Sequence, residues 1–368
     1  MAEKEVYLLC DNPEEPHKIA FFQDRSVVEI WLRAEGPELG EVHLARLVHF
    51  HNAQRRATAT LQDGSKISWQ THRNQKLEIG QLVMVTLTAF GWKDKPLQAS
   101  MGAQIAGHYG LLVMGAEKNR TIRFSKKQAE NPSARKLLEA LQKTSLAQQL
   151  SAADASLIIR RRSIKKFGEA LDEVAEQLLI TAFQEETENA LAIWEKKAHL
   201  VADLRGEAHP RQIFSGLPLI QQASLYADSN DIRIAHSQDF AQIRSDLHQI
   251  MSPRYVTKSG AIIWIEPTRA AIMIDVDSAA SSLTPASLAS QTLPEIFYLL
   301  RLRNLAGRVL IDIPYLNGPD RKKCETEIKA LCNADPRQPE YSGFTPSGLV
   351  ELRYRYGRHP LDKCYDSL

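Results

Sequence analysis

Between Ser259 and Asp312 the chain reads SGAIIWIEPTRAAIMIDVDS, then the helical stretch LPEIFYLLRLRNL, then AGRVLID. Two apolar, β-branched runs, the composition of strands, thus each end in acids: Asp275 and Asp277 on the first, Asp312 on the second. Strand residues two apart point to one face, so a strand continuing through Val276 puts Asp275 and Asp277 together. With the Asp312 strand beside it, three carboxylates converge and no cationic partner is evident. Close like charges oppose each other's ionisation, and burying them unpaired costs more. A divalent cation relieves that repulsion, and all-oxygen ligands favour magnesium or manganese over zinc. The competing reading is that each acid caps a helix or opens a turn. Acids at two strand ends, with Arg301 and Arg303 on the helix between them, keep the metal reading level with it.

The same block resembles the catalytic core of the ribonuclease E/G family. The shared features are a Ser-Gly strand entry, an Ile-Asp-Val strand end, a Leu-Arg-Leu-Arg-Asn-Leu helix exit and a following Ile-Asp strand. The resemblance implies a DNase I-like catalytic subdomain in which Asp275 and Asp312 hold magnesium, with manganese as a substitute. The family's neighbouring Asn falls on Asp277, which adds a third carboxylate as a ligand or as an orienter of the attacking water. Downstream, Gly348 to Leu352 match the segment that closes this subdomain. The family's zinc link between protomers needs paired cysteines, and only Cys364 lies in that region. No shared zinc is expected, and any homo-oligomer must assemble otherwise.

The remainder of the chain divides along the same resemblance into an α/β multidomain (α+β) architecture. Residues 1–38 read as short strands and match the first part of an RNase H-like subdomain. Residues 39–103 alternate in strand fashion at close spacing, as a small barrel does, and match an OB-type RNA-binding barrel inserted in that subdomain. Residues 104–165 match a 5′-end sensor, 166–255 the second part of the RNase H-like subdomain, and 256–368 the DNase I-like subdomain. In residues 167–205, Leu171, Val174, Ala175, Leu178, Leu179 and Ala182 recur at helical spacing, so a long helix packed on a core is expected.

RNA contacts follow from the same matches. An OB-type barrel stacks bases on aromatic rings above a basic groove. One family aromatic falls near Thr60, which cannot stack, and the other near Trp69, with Trp92 close by; packing into the barrel is the equal alternative for either Trp. Lys95 matches a lysine that reaches the RNA backbone near the cut. In the sensor, Arg160 matches an arginine that grips the 5′-monophosphate, and Arg161 stands where the family has Thr. Lys126 and Lys127 belong to a second basic element there. Basic runs of this kind are usually solvated faces when nothing else supports them.

Composition sets looser bounds. A chain of 368 residues has room for several compact units. A net charge of +2 does not by itself indicate nucleic acid. The four scattered cysteines form neither a disulfide framework nor paired zinc spacing. With no secretory signal or membrane-length apolar span, the cytoplasm is the expected compartment. The expected function is a magnesium-dependent endoribonuclease on single-stranded RNA, leaving a 5′ phosphate and a 3′ hydroxyl. The alternatives are an RNA-binding protein of the same family that does not cut, a phosphohydrolase of the haloacid dehalogenase type suggested by IMIDVDS, and a structural interaction protein. The phosphohydrolase loop expects Thr or Val where Ala279 stands, and the structural reading leaves the acids unexplained.

Overall fold

The structure is a computed structural model. It describes residues 6–10, 18–23, 26–33, 36–72, 75–91, 95–115, 122–124, 128, 130–169, 172–202, 209–229, 236–237, 247 and 249–361. Trp92, Lys126, Lys127 and Cys364 lie outside them. The chain divides into two compact units, one of residues 1–35, 90–95 and 230–368, the other of residues 36–89 and 96–229.

The first unit opens with strands β1 (Val6–Cys10), β2 (Lys18–Gln23) and β3 (Ser26–Leu32), an antiparallel meander.

The second unit begins with a barrel of β4 (Val42–His51), β5 (Arg56–Thr60), β6 (Lys66–Gln70), β7 (Leu82–Ala89) and β8 (Leu97–Met101). Its strand order is β4-β5-β6-β8-β7, and pairing of β4 with β7 closes the ring. A closed five-stranded barrel with this order is consistent with an OB-type barrel. Alternating inward residues fill it, including Leu47, Ala57, Ala59, Ile67, Val85 and Leu87. The chain continues into a separate four-stranded sheet of β9 (Ala103–Ala106), β10 (Gly110–Met114), β11 (Ile122–Phe124) and β12 (Ala155–Ile159), ordered β11-β12-β10-β9. Helices α1 (Pro132–Gln142), α2 (Leu146–Ala152), α3 (Arg161–Glu169) and α4 (Glu173–Ala202) bury Leu137, Leu150, Phe167 and Phe183 in one core with β10 and β12. Leu179 belongs to that core, whereas Val174 and Leu178 are exposed, so only part of the apolar periodicity of α4 marks a buried face. Strand β13 (Arg211–Phe214) pairs with barrel strand β4, and α5 (Leu219–Ser229) ends the unit. Residues 172–229 therefore group with the barrel, not with residues 1–35.

Back in the first unit, β14 (His236–Ser237) runs parallel to β1. The chain then builds β15 (Arg254–Val256), β16 (Ile262–Pro267), β17 (Ile272–Asp277), α6 (Pro285–Leu302), β18 (Gly307–Asp312), α7 (Gly318–Ala334), β19 (Glu340–Phe344) and β20 (Val350–Tyr354). These six strands form a sheet in the order β15-β16-β17-β18-β20-β19. One face is apolar: Ile263, Ile265, Ile274, Val309, Ile311, Val350 and Leu352 share a core with Leu293, Ile296 and Leu300 of α6 and Ile328 of α7. Helix α6 starts at Pro285 and carries Pro294 within it, so the helical pattern read from Leu293 onward is its second half. Thr284 caps it, its side chain accepting from the Ser287 amide. No helix among the described residues is long and apolar enough to cross a membrane.

The Arg-Leu-Arg-Asn exit of α6 is a structural clamp. The Arg301 side chain donates to the Val28 carbonyl at 2.9 Å and the Asn304 amide to the Ile30 carbonyl at 3.1 Å, tying α6 to the backbone of β3. Arg303, almost fully buried, donates to the Ser252 carbonyl. Asn304 sits at φ +51°, a conformation Asn tolerates better than most residues. Asn304→Ala loses the bond to a buried carbonyl and is strained as well, so it should destabilise the chain by about 2–4 kcal/mol in urea unfolding. Asn304→Gly, which loses only the bond, should cost less. Equal stability of all three chains would contradict the clamp.

Candidate functional site

The parallel pairing of β17 with β18 sets Ile274 beside Ile311 and Asp275 beside Asp312. Both isoleucines point into the core, at 1% and 0% exposure, so period-two alternation turns both aspartates to the opposite, solvent-facing side. Adjacent strands lie about 4.8 Å apart, which makes the two carboxylates direct neighbours. Asp277 is two residues further along β17 on the same face. Its carboxylate accepts from the Ala279 amide at 2.9 Å, so one oxygen shapes the turn that leaves the strand. Gly260, at φ +83°, packs against Ala280 and Ser281 of that turn, which accounts for the Ser-Gly entry to β16.

Electrostatics at the pair are one-sided. The pKa of Asp275 is raised, first by partial burial, then by the Asp312 charge, then by Asp277, with Glu266 adding to it. The amide of Val276 opposes the shift, and no cation contributes. Among the described residues neither Asp275 nor Asp312 makes an ion pair, and no group of three or more His, Cys, Asp or Glu side chains is placed to hold a metal ion. Magnesium does not need such a cage: it keeps several waters and is commonly held by one or two carboxylates together with substrate phosphate. The donor set of Asp275 and Asp312 fits that mode.

The other anticipated residues stand elsewhere. Lys95 donates to the Tyr356 hydroxyl at 3.0 Å and lies 5.3 Å from the centre of that ring. The same hydroxyl would lie 3.0 Å from a Cβ on Gly307, at the start of β18. Asp312 ends that strand, roughly 16 Å away by strand rise, so Lys95 is anchored at the end of β18 opposite the carboxylates.

Trp69 is 3% exposed and belongs to the barrel core, opposite Ala57 in the ladder. Two small residues, Ala57 and Ala59, leave the volume that its indole fills. It offers no open face to a base, and the packing alternative holds.

Arg160 is the residue just before α3, and its guanidinium interacts electrostatically with Glu186. Burial lowers the pKa of Arg160, and the Glu186 charge works against that shift. Glu186 accepts from the amides of His108, Tyr109 and Gly110, at 2.9 Å from Tyr109 and 3.0 Å from Gly110. A cradle of successive amides beside an arginine is the kind of place that receives a phosphate. Here a carboxylate of the chain itself occupies it. Arg161 is exposed on the first turn of α3.

Sequence reading passed over two residues that the fold makes conspicuous. Glu186 is one of many acids on a charged helix, and nothing in its spacing marks it. Trp264 lies inside the block that drew attention, and the alternation of IIWIE already turned it away from the core.

Comparison with known proteins identifies the family. Residues 104–355, more than half of the chain, match the model of the Ribonuclease E/G family. A stretch of 131 residues is 33% identical to "Ribonuclease E" of Nostoc sp. (strain PCC 7120), covering 33% of this chain and 19% of that protein. "Ribonuclease E" of Synechocystis sp. (strain PCC 6803) is 29% identical over 131 residues, again 33% of this chain and 19% of its own length. "Ribonuclease G" of Salmonella typhimurium (strain SL1344) is 24% identical over 131 residues, 34% of this chain and 27% of its own. The matched region spans less than a third of each of these relatives. A family match of that extent, on a chain whose last sheet sets Asp275 beside Asp312, makes this protein a member of the ribonuclease E/G family.

Proposed function

We propose that the protein is a magnesium-dependent endoribonuclease that cuts single-stranded RNA in the cytoplasm, leaving a 5′ phosphate and a 3′ hydroxyl. The sheet β15 to β20 with α6 and α7 is then the family's DNase I-like catalytic subdomain. Strands β1 to β3 with β14 belong to its RNase H-like subdomain, and the barrel is its RNA-binding module. The observation that carries the reading is the in-register pair Asp275 and Asp312 on an open sheet face, where the charges acting on Asp275 are acidic.

Asp275 and Asp312 would hold the divalent cation, magnesium or manganese. Bound there, the cation would supply Lewis acidity toward the phosphodiester and acidify a water at neutral pH. The two aspartates fix its position because each is braced by a buried isoleucine next to it in sequence. Asp277, with one oxygen committed to the Ala279 amide, keeps the other for orienting a water. The attack would be in line: the water gives up a proton to solvent as its oxygen bonds to phosphorus, the bond to the 3′ oxygen breaks, and that oxygen takes up a proton from solvent. Lys95 and Tyr356 would act on a more distant part of the strand, by contact with its backbone. The Glu186 carboxylate in the amide cradle argues against 5′-end capture by Arg160, so 5′-phosphorylated and 5′-hydroxyl substrates should be cut at similar rates.

A second reading, RNA binding without cutting, draws on the buried Trp69 and the occupied cradle. One comparison separates the two. Asp275→Asn and Asp312→Asn should each abolish magnesium-dependent cleavage of a labelled single-stranded RNA, measured on a gel, with affinity for that RNA retained. Cleavage by either variant at the rate of the natural chain would remove the pair from the mechanism.

The raised pKa of Asp275 gives a test that needs no substrate. The folded chain holds this proton to higher pH than the unfolded chain does. That contribution to stability is complete below the ordinary carboxylate range and is lost as pH rises through the raised value. Ionised Asp275 therefore works against folding at neutral pH. Asp275→Asn should raise the melting temperature at pH 7 in EDTA, and the gain should vanish in acid, where the native carboxyl is protonated too. A lower melting temperature at pH 7 would contradict the charge crowding.

A further inference from the structure

The row of residues through Asp275 does not end at the carboxylates. Across the sheet, Arg254 on β15 pairs with Trp264 on β16, Trp264 with Asp275 on β17, and Asp275 with Asp312 on β18. Directly paired residues share a face, so a cation, an indole and two acids stand side by side on the open side, and all four are exposed. Trp264 is 37% exposed, whereas Trp31 and Trp69 are each 3% exposed. Its neighbours along β16, Ile263 and Ile265, are buried at 0% and 1%, so the outward position follows from strand alternation and not from a failure to pack. Arg254 forms no ion pair or ring contact with a described residue.

Trp264 lies one strand spacing, about 4.8 Å, from the carboxylate pair and leaves more than a third of its surface open to water. It suits a flat apolar ligand that arrives together with an anionic group. An unstacked nucleobase on a phosphate backbone is such a ligand: its ring stacks on the indole, and Arg254, one strand further out, meets the next phosphate.

We propose that Trp264 and Arg254 form a nucleotide subsite next to the carboxylate pair, in which Trp264 stacks the base adjoining the phosphodiester at Asp275 and Asp312 and Arg254 holds the neighbouring phosphate. The proposal rests on the ribonuclease reading and adds the residues that set the strand's position at the cut. Stacking tolerates any base, so this subsite fixes register without choosing sequence.

The test is fluorescence anisotropy of a labelled oligouridylate in EDTA, where nothing is cut, with the natural chain, Trp264→Ala, Trp264→Phe and Arg254→Ala. Trp264→Ala should weaken binding by roughly 5- to 150-fold. Trp264→Phe should recover most of that loss, which a merely misfolded chain would not show. Arg254→Ala should flatten the salt dependence of binding by about one phosphate contact. The subsite is overturned if Trp264→Ala binds and, with magnesium, cuts the intact strand like the natural chain. That result leaves the nuclease reading standing. It is likewise overturned if the substitution changes only the self-association of the chain, which would make this face a protein interface. If the natural chain neither binds nor cuts the strand, the nuclease reading falls and takes the subsite with it.

Discussion

The parallel ladder between β17 and β18 is the contact on which the rest of the account depends. It alone puts Asp275 and Asp312, distant in sequence, side by side. The ladder is fixed from the other side of the sheet, where Ile274 and Ile311 are buried against α6 and α7. A slip of one residue would carry the apolar set into water and both carboxylates into the core, which makes the register costly to change. The hydrophobic effect on one face thereby imposes an electrostatically unfavourable arrangement on the other. Function is commonly installed at the expense of local stability in this way.

The helix that closes this crossover does a second job. Its Arg301 and Asn304 bond to backbone carbonyls of β3, so the final sheet and the first strands are held by charged and amide side chains as well as by apolar contact. The Arg-Leu-Arg-Asn sequence, which next to acidic strand ends could pass for active-site chemistry, is therefore an architectural element. The acids of β17 and β18 lie on the sheet face that α6 does not cover, away from these arginines.

Much of the candidate site was legible in the sequence, because strand alternation and β-branched composition reveal faces directly. Asp275, Asp277 and Asp312 all fall on the face that IMIDVD and GRVLID imply. The barrel was legible too as a run of short strands, and its closed order is visible only in the fold. What the sequence could not convey was the use of space. Whether Trp69 stacks a base or fills a core depends on Ala57 and Ala59 across the ladder. The family resemblance put Lys95 near the cut, yet Tyr356 holds it at the far end of β18. Arg160 looked like an anion grip until Glu186, more than twenty residues downstream, came to rest beside it. Pro294, a helix stop by local rules, is carried inside α6 because the surrounding core outweighs a cost of about 3 kcal/mol.

The central claim is that Asp275 and Asp312 together hold one divalent cation. Manganese titration followed by electron paramagnetic resonance reads this directly, since bound and free ions give different signals and no substrate is needed. The account predicts one bound manganese per chain, displaced by magnesium and lost in both Asp275→Asn and Asp312→Asn. Manganese binding undiminished in those variants would contradict it.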